Sequence, residues 1–364
     1  MRPEAAKNLK NGVLIPAMPL VLDQNRMFDS KKQKRLVRYY LEAGAGGIAA
    51  AVHTTQFEIR KPEIALLQPV LRTVAEAMAQ YEADTGKTVV KIAGVCGPIE
   101  QAVQEAKLAA SLGYDAVLLS PGGLNDRTED YLLERTAAVA EILPVIGFYL
   151  QKAVGGREFS YAYWEHFCEI PGVCAIKTAP FDRYMTLDAV RAAALSSRSE
   201  EIALYTGNDD NLLFDLLTEF QFQKDGETRT VHFAGGLLGH WSVWVHTAAK
   251  YFAEAKKAME SGNIPKSLLT LAARITDANG ALFDVKGNFV GCIVGLHEIL
   301  RRQGLLDGTW TLNPDEVLGE AQRAELDRVC AMYPELTDDD FVRDFLSRYS
   351  DQNLPMRSRR LEEQ

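Results

Sequence analysis

Apolar runs rich in valine and isoleucine begin near residues 13, 47, 88, 115, 144, 172, 202 and 230. Between most of them the apolar positions recur at three and four residues. The first pattern predicts strands buried on both faces and the second amphipathic helices, so the chain reads as eight strands alternating with helices. The segment 98–112 carries the helical signals well. Pro98 sits just inside its start, Ile99, Ala102, Val103, Ala106, Ala109 and Ala110 make one face, and Gly113 follows its end.

Continuously apolar strands separated by helices imply a parallel sheet covered on its faces, and eight units over about 250 residues suit a closed (β/α)8 TIM barrel, an α/β fold. The rival is a doubly wound open sheet, but no G-x-G-x-x-G follows the first strand. After about residue 260 the pattern changes to helices alone, near 264–280, 290–304, 314–332 and 338–349. The expected organisation is a barrel over 1–260 that holds the active site, then a C-terminal helical region over 261–364 ending in a charged, apolar-poor tail from Met356.

Composition narrows the class of function. The 364 residues are 47% apolar and 24% charged, ordinary for a soluble globular protein, and a net charge of -9 leaves no concentrated basic surface for nucleic acid. No apolar stretch reaches the roughly 18 residues of a membrane span, and the N-terminus lacks a signal-like apolar core, so a cytoplasmic protein that does not enter a membrane is expected. The five cysteines, Cys96, Cys168, Cys174, Cys292 and Cys330, are odd in number and form no C-x-x-C pair, which predicts reduced, buried thiols.

One residue breaks the apolar pattern in a way that demands a reason. Lys177 stands alone in the run Pro171-Gly-Val-Cys-Ala-Ile-Lys177-Thr178, near the C-terminal end of the sixth strand. Counting 28 positions back reaches Tyr149 in the fifth run, Leu143 to Leu150, at what the count makes an equivalent depth. Active sites of (β/α)8 barrels lie at the C-terminal strand ends, so an amine and a phenol are expected to meet in the barrel mouth. A neutral lysine amine near pH 7 requires a depression worth about 4 kcal/mol, part of which burial among Val173, Ile176 and their neighbours can supply. Such an amine attacks a ketone carbon to give a Schiff base, with Tyr149 moving protons. The bland alternatives are a lysine paired with an inward carboxylate and a tyrosine that only fills the core.

The second strand, Gly47 to Val52, runs into His53-Thr54-Thr55-Gln56-Phe57-Glu58. Two threonines at a strand end offer hydroxyls and backbone N–H groups that can hold a carboxylate, or they simply finish a strand. His240 and His246 are six apart and no H-E-x-x-H occurs, so the spacing assembles no metal site and a reaction without metal or other cofactor is expected. Gly235, Gly236 and Gly239 after the last strand could bind phosphate or let the backbone turn.

Together, the threonine pair, Tyr149, the Ile176-Lys177-Thr178 run and Tyr205-Thr-Gly-Asn-Asp-Asp210 resemble the dihydrodipicolinate synthase / N-acetylneuraminate lyase family over roughly residues 10 to 305. The resemblance implies a class I aldolase or dehydratase that forms an imine with pyruvate or a related 2-oxo acid. In it Lys177 matches the imine-forming lysine and Tyr149 the catalytic tyrosine, while Thr54 and Thr55 hold the carboxylate. His53, Gln56, Gly207, Gly235 and Arg157 are the expected substrate-binding residues, and a homodimer or homotetramer is the implied assembly. The family's usual G-T-T-G-E reads His53-Thr-Thr-Gln-Phe57 here. Its tyrosine pair after the fourth strand is replaced by Ser120-Pro-Gly-Gly123, and Val154 stands where the synthases carry an arginine for the second substrate's carboxylate, so Arg157 or Lys152 would have to substitute. These departures argue against true dihydrodipicolinate synthase activity. They leave a lyase with another acceptor or a sugar-acid substrate, or else a non-catalytic barrel that binds a small acid.

Overall fold

The computed structural model describes residues 1–349; the charged stretch from Met356 lies outside the described residues. The strands are β1 (Leu14–Pro16), β2 (Gly47–Ala50), β3 (Val90–Val95), β4 (Ala116–Leu119), β5 (Val145–Leu150), β6 (Val173–Ala179), β7 (Ala203–Thr206), β8 (Glu219–Lys224) and β9 (Glu227–Leu238). All but β8 run parallel in the order β1-β9-β7-β6-β5-β4-β3-β2. The ring closes where Ala17 bridges Ala49 and Met18 N–H donates to the Ala49 carbonyl at 2.9 Å. The expected eight-stranded barrel is therefore present.

The helices are α1 (Pro3–Asn11), α2 (Ser30–Ala43), α3 (Leu67–Thr85), α4 (Ile99–Ser111), α5 (Glu129–Ala140), α6 (Tyr161–Cys168), α7 (Arg183–Leu195), a short α8 (Leu212–Leu216) and α9 (Val245–Ser261). Beyond them come α10 (Lys266–Leu282), α11 (Cys292–Arg302), α12 (Glu320–Met332) and α13 (Asp339–Arg348). No helix among the described residues is long and apolar enough to cross a membrane. In α4, Pro98 is the cap rather than the first helical residue, and Gly113 follows with φ 79°, a left-handed value that suits glycine.

The patterning missed β8. Glu219-Phe-Gln-Phe-Gln-Lys224 alternates polar and apolar residues and pairs antiparallel with the first half of β9 through Asp225-Gly226, both at positive φ. An Asp-Gly pair between alternating segments is a strong hairpin signal, so the element was readable.

Alternation along each strand sorts the apolar residues into two cores. Ile15, Ile92, Leu118, Ile146, Tyr205 and Leu237 fill the barrel interior, while Val117, Val145, Tyr149, Val173, Ile176 and Leu204 pack outward against the helices. Helix α1 plugs the N-terminal end: Ala5 and Leu9 join the interior cluster, and Tyr205 Oη donates to the Leu9 carbonyl at 2.8 Å. The other end is left open, because the interior positions there are small.

Candidate active site

At the C-terminal ends of the strands Ala17, Ala179 and Gly207 leave a cavity of about 60 Å³ above the filled interior. Lys177 projects into it from β6. A Cβ on Gly207 would run into Lys177 Cε, so a glycine is required for the lysine to lie along that wall. Lys177 is paired in register with Phe148 of β5, and its Nζ lies 4.3 Å from the centroid of that ring. Val52, His53, Thr54, Leu150 and Val154 complete much of the wall.

The electrostatics are those of an amine held short of its usual basicity. Burial pulls Lys177 down to about 8, opposed by the charge of Asp209, which also faces the cavity. Burial pushes Asp209 up to about 7, against the lowering effects of the His240 backbone N–H and of Lys177. The inward carboxylate of the expected alternative is thus present as Asp209, whose charge raises Lys177 while burial, the larger effect, lowers it. Asp209 is held from behind. His240 N–H donates to its Oδ1 at 2.9 Å, and Asn279 of α10 donates to its carbonyl at 2.6 Å while its own Oδ1 meets His240 Nδ1 at 2.6 Å. His53 is lowered to about 4 by burial and by the Lys177 charge, so it stands at the cavity as neutral imidazole.

Several residues predicted for the site are elsewhere. Tyr149 is paired with Thr178, not Lys177, and points into the outer core, where its ring packs on Phe159 and Trp164 and its Oη accepts from Phe159 N–H at 3.4 Å. The cause is a bulge. Val145 pairs with Val173, but Ile146 pairs with Ala175, so the extra Cys174 in β6 advances the register by one and brings Phe148 opposite the lysine. A count of 28 from strand to strand is correct only below the bulge.

The threonines are spent on the backbone. Thr54 and Thr55 both donate to the Met18 carbonyl, at 3.1 and 2.6 Å, and a hydroxyl has one proton to give, so neither donates to a carboxylate here. Thr54 still lines the cavity; Thr55 does not. Gln56 points away and accepts from Leu312 N–H at 2.6 Å, anchoring the segment before α12. Gly235 lies deeper in the barrel beside Tyr205, where a Cβ would meet the Val13 carbonyl, and is not at the mouth. Arg157 donates to the Arg127 carbonyl at 2.6 Å and stacks on Phe159, and Lys152 pairs with Glu158, so neither reaches the Lys177 cavity. His53 and Gly207 do line it.

No family model matches the chain. Among curated proteins it is similar to N-acetylneuraminate lyase 2 of Escherichia coli O6:H1, 24% identical over 200 residues, which make 54% of this chain and 61% of that one. Among solved structures it matches a dihydrodipicolinate synthase from Oceanobacillus iheyensis with TM-score 0.72 at 18% identity, covering 91% of this chain and 99% of that one. A dihydrodipicolinate synthase from Acinetobacter baumannii complexed with pyruvate matches with TM-score 0.70 at 22% identity, over 88% and 98%. The N-acetylneuraminate lyase of Mycoplasma synoviae gives 0.66 at 19%, over 89% and 99%. The chain has the fold of the dihydrodipicolinate synthase / N-acetylneuraminate lyase family.

Within that family fold, the residue that meets Lys177 across the β5–β6 ladder is a phenylalanine, and the phenol of Tyr149 is one position away on the opposite face. Val154, where the resemblance implied an arginine, is part of the apolar wall. Several groups at the site escaped the sequence reading. Asp209 lay inside the quoted Tyr205–Asp210 stretch, and an acid two residues beyond a strand-end glycine was the available signal. Phe181 and Phe289 also border the cavity, each with a left-handed backbone, φ 54° and 66°. Cys292 lines it as well, but burial pushes its thiol up, which keeps it protonated and unreactive.

Proposed function

We propose that the protein is a Schiff-base lyase of pyruvate or a related 2-oxo acid, with Lys177 as the imine former. The observation that carries this is a buried amine, lowered by burial, that lines a small cavity at the C-terminal strand ends. The neutral amine adds to the C2 carbonyl to give a carbinolamine, which loses water to form the imine. Loss of a C3 proton, or cleavage of the C3–C4 bond, sends the electron pair to the imine nitrogen and leaves an enamine. Asp209 and His53 line the same cavity as Lys177 and feel its charge, so they are the groups we assign to exchange those protons. The small cavity suits a three-carbon acid better than a long one. A cytoplasmic homodimer or homotetramer is the assembly we expect, checked by light scattering.

Incubation with pyruvate and borohydride should add a reduced pyruvyl group to the peptide containing Lys177, and Lys177→Ala should abolish the adduct. If no 2-oxo acid is trapped on Lys177 at any pH where the fold survives, the reading fails. The loss of the phenol supports one rival, a barrel that binds a small acid without turning it over. In that case Lys177→Ala would leave ligand affinity nearly unchanged, whereas an imine former loses it.

A further inference from the structure

The Lys177 cavity adjoins a second, outer vestibule of about 630 Å³, and Leu150, Gln151, Phe181, Phe283 and Phe289 line both. At this shared boundary Phe181 and Phe289 meet edge to face, with ring centroids 5.8 Å apart. Rings in contact at that distance leave no passage between them, so the pair closes the part of the boundary it occupies.

The two rings are mounted differently. Phe181 is fixed: its N–H donates to Oδ1 of the fully buried Asn208 at 3.1 Å, and Asn208 is itself held by Asp215 at 3.0 Å and Thr186 at 3.2 Å. Phe289 rides on the segment 284–290 between α10 and α11, in which Val285, Lys286, Gly287, Asn288 and Val290 are exposed. Among the described residues, the backbone N–H groups of Gly287, Asn288, Phe289 and Val290 all donate within the segment, to the carbonyls of Asp284, Val285, Asp284 and Gly287. The ion pair of Lys286 with Glu325 of α12 involves a lysine side chain that is 83% exposed, and such surface pairs hold little.

The ends of the segment are clamped at one point. Gln322 of α12 is buried, and its Nε2 donates to the carbonyls of Ala281 and Leu282, each at 3.3 Å, and of Gly291 at 2.9 Å. A Cβ on Gly291 would come within 2.1 Å of Gln322 Oε1, so only a glycine lets that side chain approach. A loop bonded to itself, clamped where it leaves one helix and enters the next and exposed between, moves as a unit about its ends. Asp284, Asn288 and Phe289 hold left-handed backbones, φ 50°, 55° and 66°, so the closed position is also a strained one.

We propose that 284–290 is a flap: Phe289 swings off Phe181 to admit the 2-oxo acid to Lys177, then returns to keep water from the imine and enamine. This rests on the Schiff-base reading above and adds a gating step to it. The ring makes and breaks no bond; it replaces bulk water over the reacting atoms.

The test uses the full chain and pyruvate, with imine formation and imine hydrolysis after dilution followed by rapid quench into borohydride and mass spectrometry. Phe289→Ala should raise both rates by up to about tenfold, the population shift that loss of one edge-to-face contact permits. Phe289→Leu should fall between, and carries the test if the alanine variant does not fold. Gln322→Ala leaves Phe289 in place but frees the ends, and should move both rates in the same direction. In the free protein the peptide holding 284–290 should exchange its amide hydrogens about tenfold faster than α10, and it should slow once pyruvate is reduced onto Lys177. A Phe289 that merely lines the wall would give variants that release pyruvate faster but capture it no faster. That result, or exchange that trapping leaves unchanged, overturns the flap while the Schiff-base reading stands. If pyruvate is never trapped on Lys177, both fall.

Discussion

Phe148 and Lys177 face each other across the β5–β6 ladder, with the lysine nitrogen 4.3 Å from the centroid of the phenyl ring. An ammonium over an aromatic face gains about 0.5–2 kcal/mol, so the ring partly opposes the burial that favours the neutral amine. It offers no proton. The phenol one residue along is turned to the helix layer by strand alternation.

This geometry makes a paired prediction. Phe148→Tyr should place a hydroxyl at the cavity, where the wild-type ring already lies, and accelerate turnover with pyruvate about tenfold or more, the lower range of a positioned general acid or base. Tyr149→Phe keeps the ring that packs on Trp164 and loses only a long 3.4 Å hydrogen bond. Its rate of borohydride trapping should stay within about twofold of wild type, and its stability should fall by less than about 1 kcal/mol. The opposite ranking of the two variants would mean that the register at the bulge is not the one that operates.

Gly207→Ala tests whether the lysine needs the space beside it. A methyl group there runs into Lys177 Cε and crowds Ala179 Cβ at 2.9 Å, so the amine must leave its position. Displacements near 1 Å can cost about a hundredfold in rate. Trapping with pyruvate should drop by that order while circular dichroism and Tm report a folded barrel. Trapping at the wild-type rate would show that the side chain adapts freely.

The architecture was open to inspection in the chain because buried parallel strands are continuous apolar runs, and nothing else in a soluble protein repeats them eight times with helices between. Lys177 was legible for the same reason, since a lone charge in such a run is costly. Tyr149 misled because alternation is a period of two, and one inserted residue, Cys174, turns the strand's faces over. Asp209 was hard to single out among 49 acidic residues, because what makes it special, the His240 and Asn279 support, comes from beyond β9 and from α10, far along the chain. Phe181 and Phe289 carry no sequence signature at all. Nothing in a phenylalanine announces positive φ; buried partners such as Asn208 impose it.

That support makes Asn279 a test of how the helices beyond residue 261 serve the site. Asn279→Ala removes a donor to the Asp209 carbonyl and leaves the buried His240 Nδ1 without its partner. An unsatisfied buried polar group costs about 1–3 kcal/mol, so urea unfolding should register a loss in that range. Steady-state turnover should slow as well, because the loop carrying Asp209 loses one of its ties. A variant as stable and as fast as wild type would mean that α10 merely covers the barrel.

The pH dependence follows from the Lys177–Asp209 pair. Imine formation requires the unprotonated amine, and burial brings Lys177 down to about 8, so the trapping rate should climb as pH rises through that value rather than through the range of a free lysine near 10.4. The ionised Asp209 acts in the other direction, holding the proton on the amine. Asp209→Asn removes that charge without changing the shape, so the amine should lose its proton more readily and the rise should move to lower pH. At neutral pH the variant should therefore form the pyruvate imine at least as fast as wild type, yet complete the later proton transfers more slowly, since the carboxyl raised to about 7 is gone. Stopped-flow measurement of imine formation across pH 6 to 10, set beside steady-state turnover, separates the two effects. A rise displaced upward in Asp209→Asn would contradict the sign of the coupling, and with it the assignment of Asp209 as the charge that Lys177 feels.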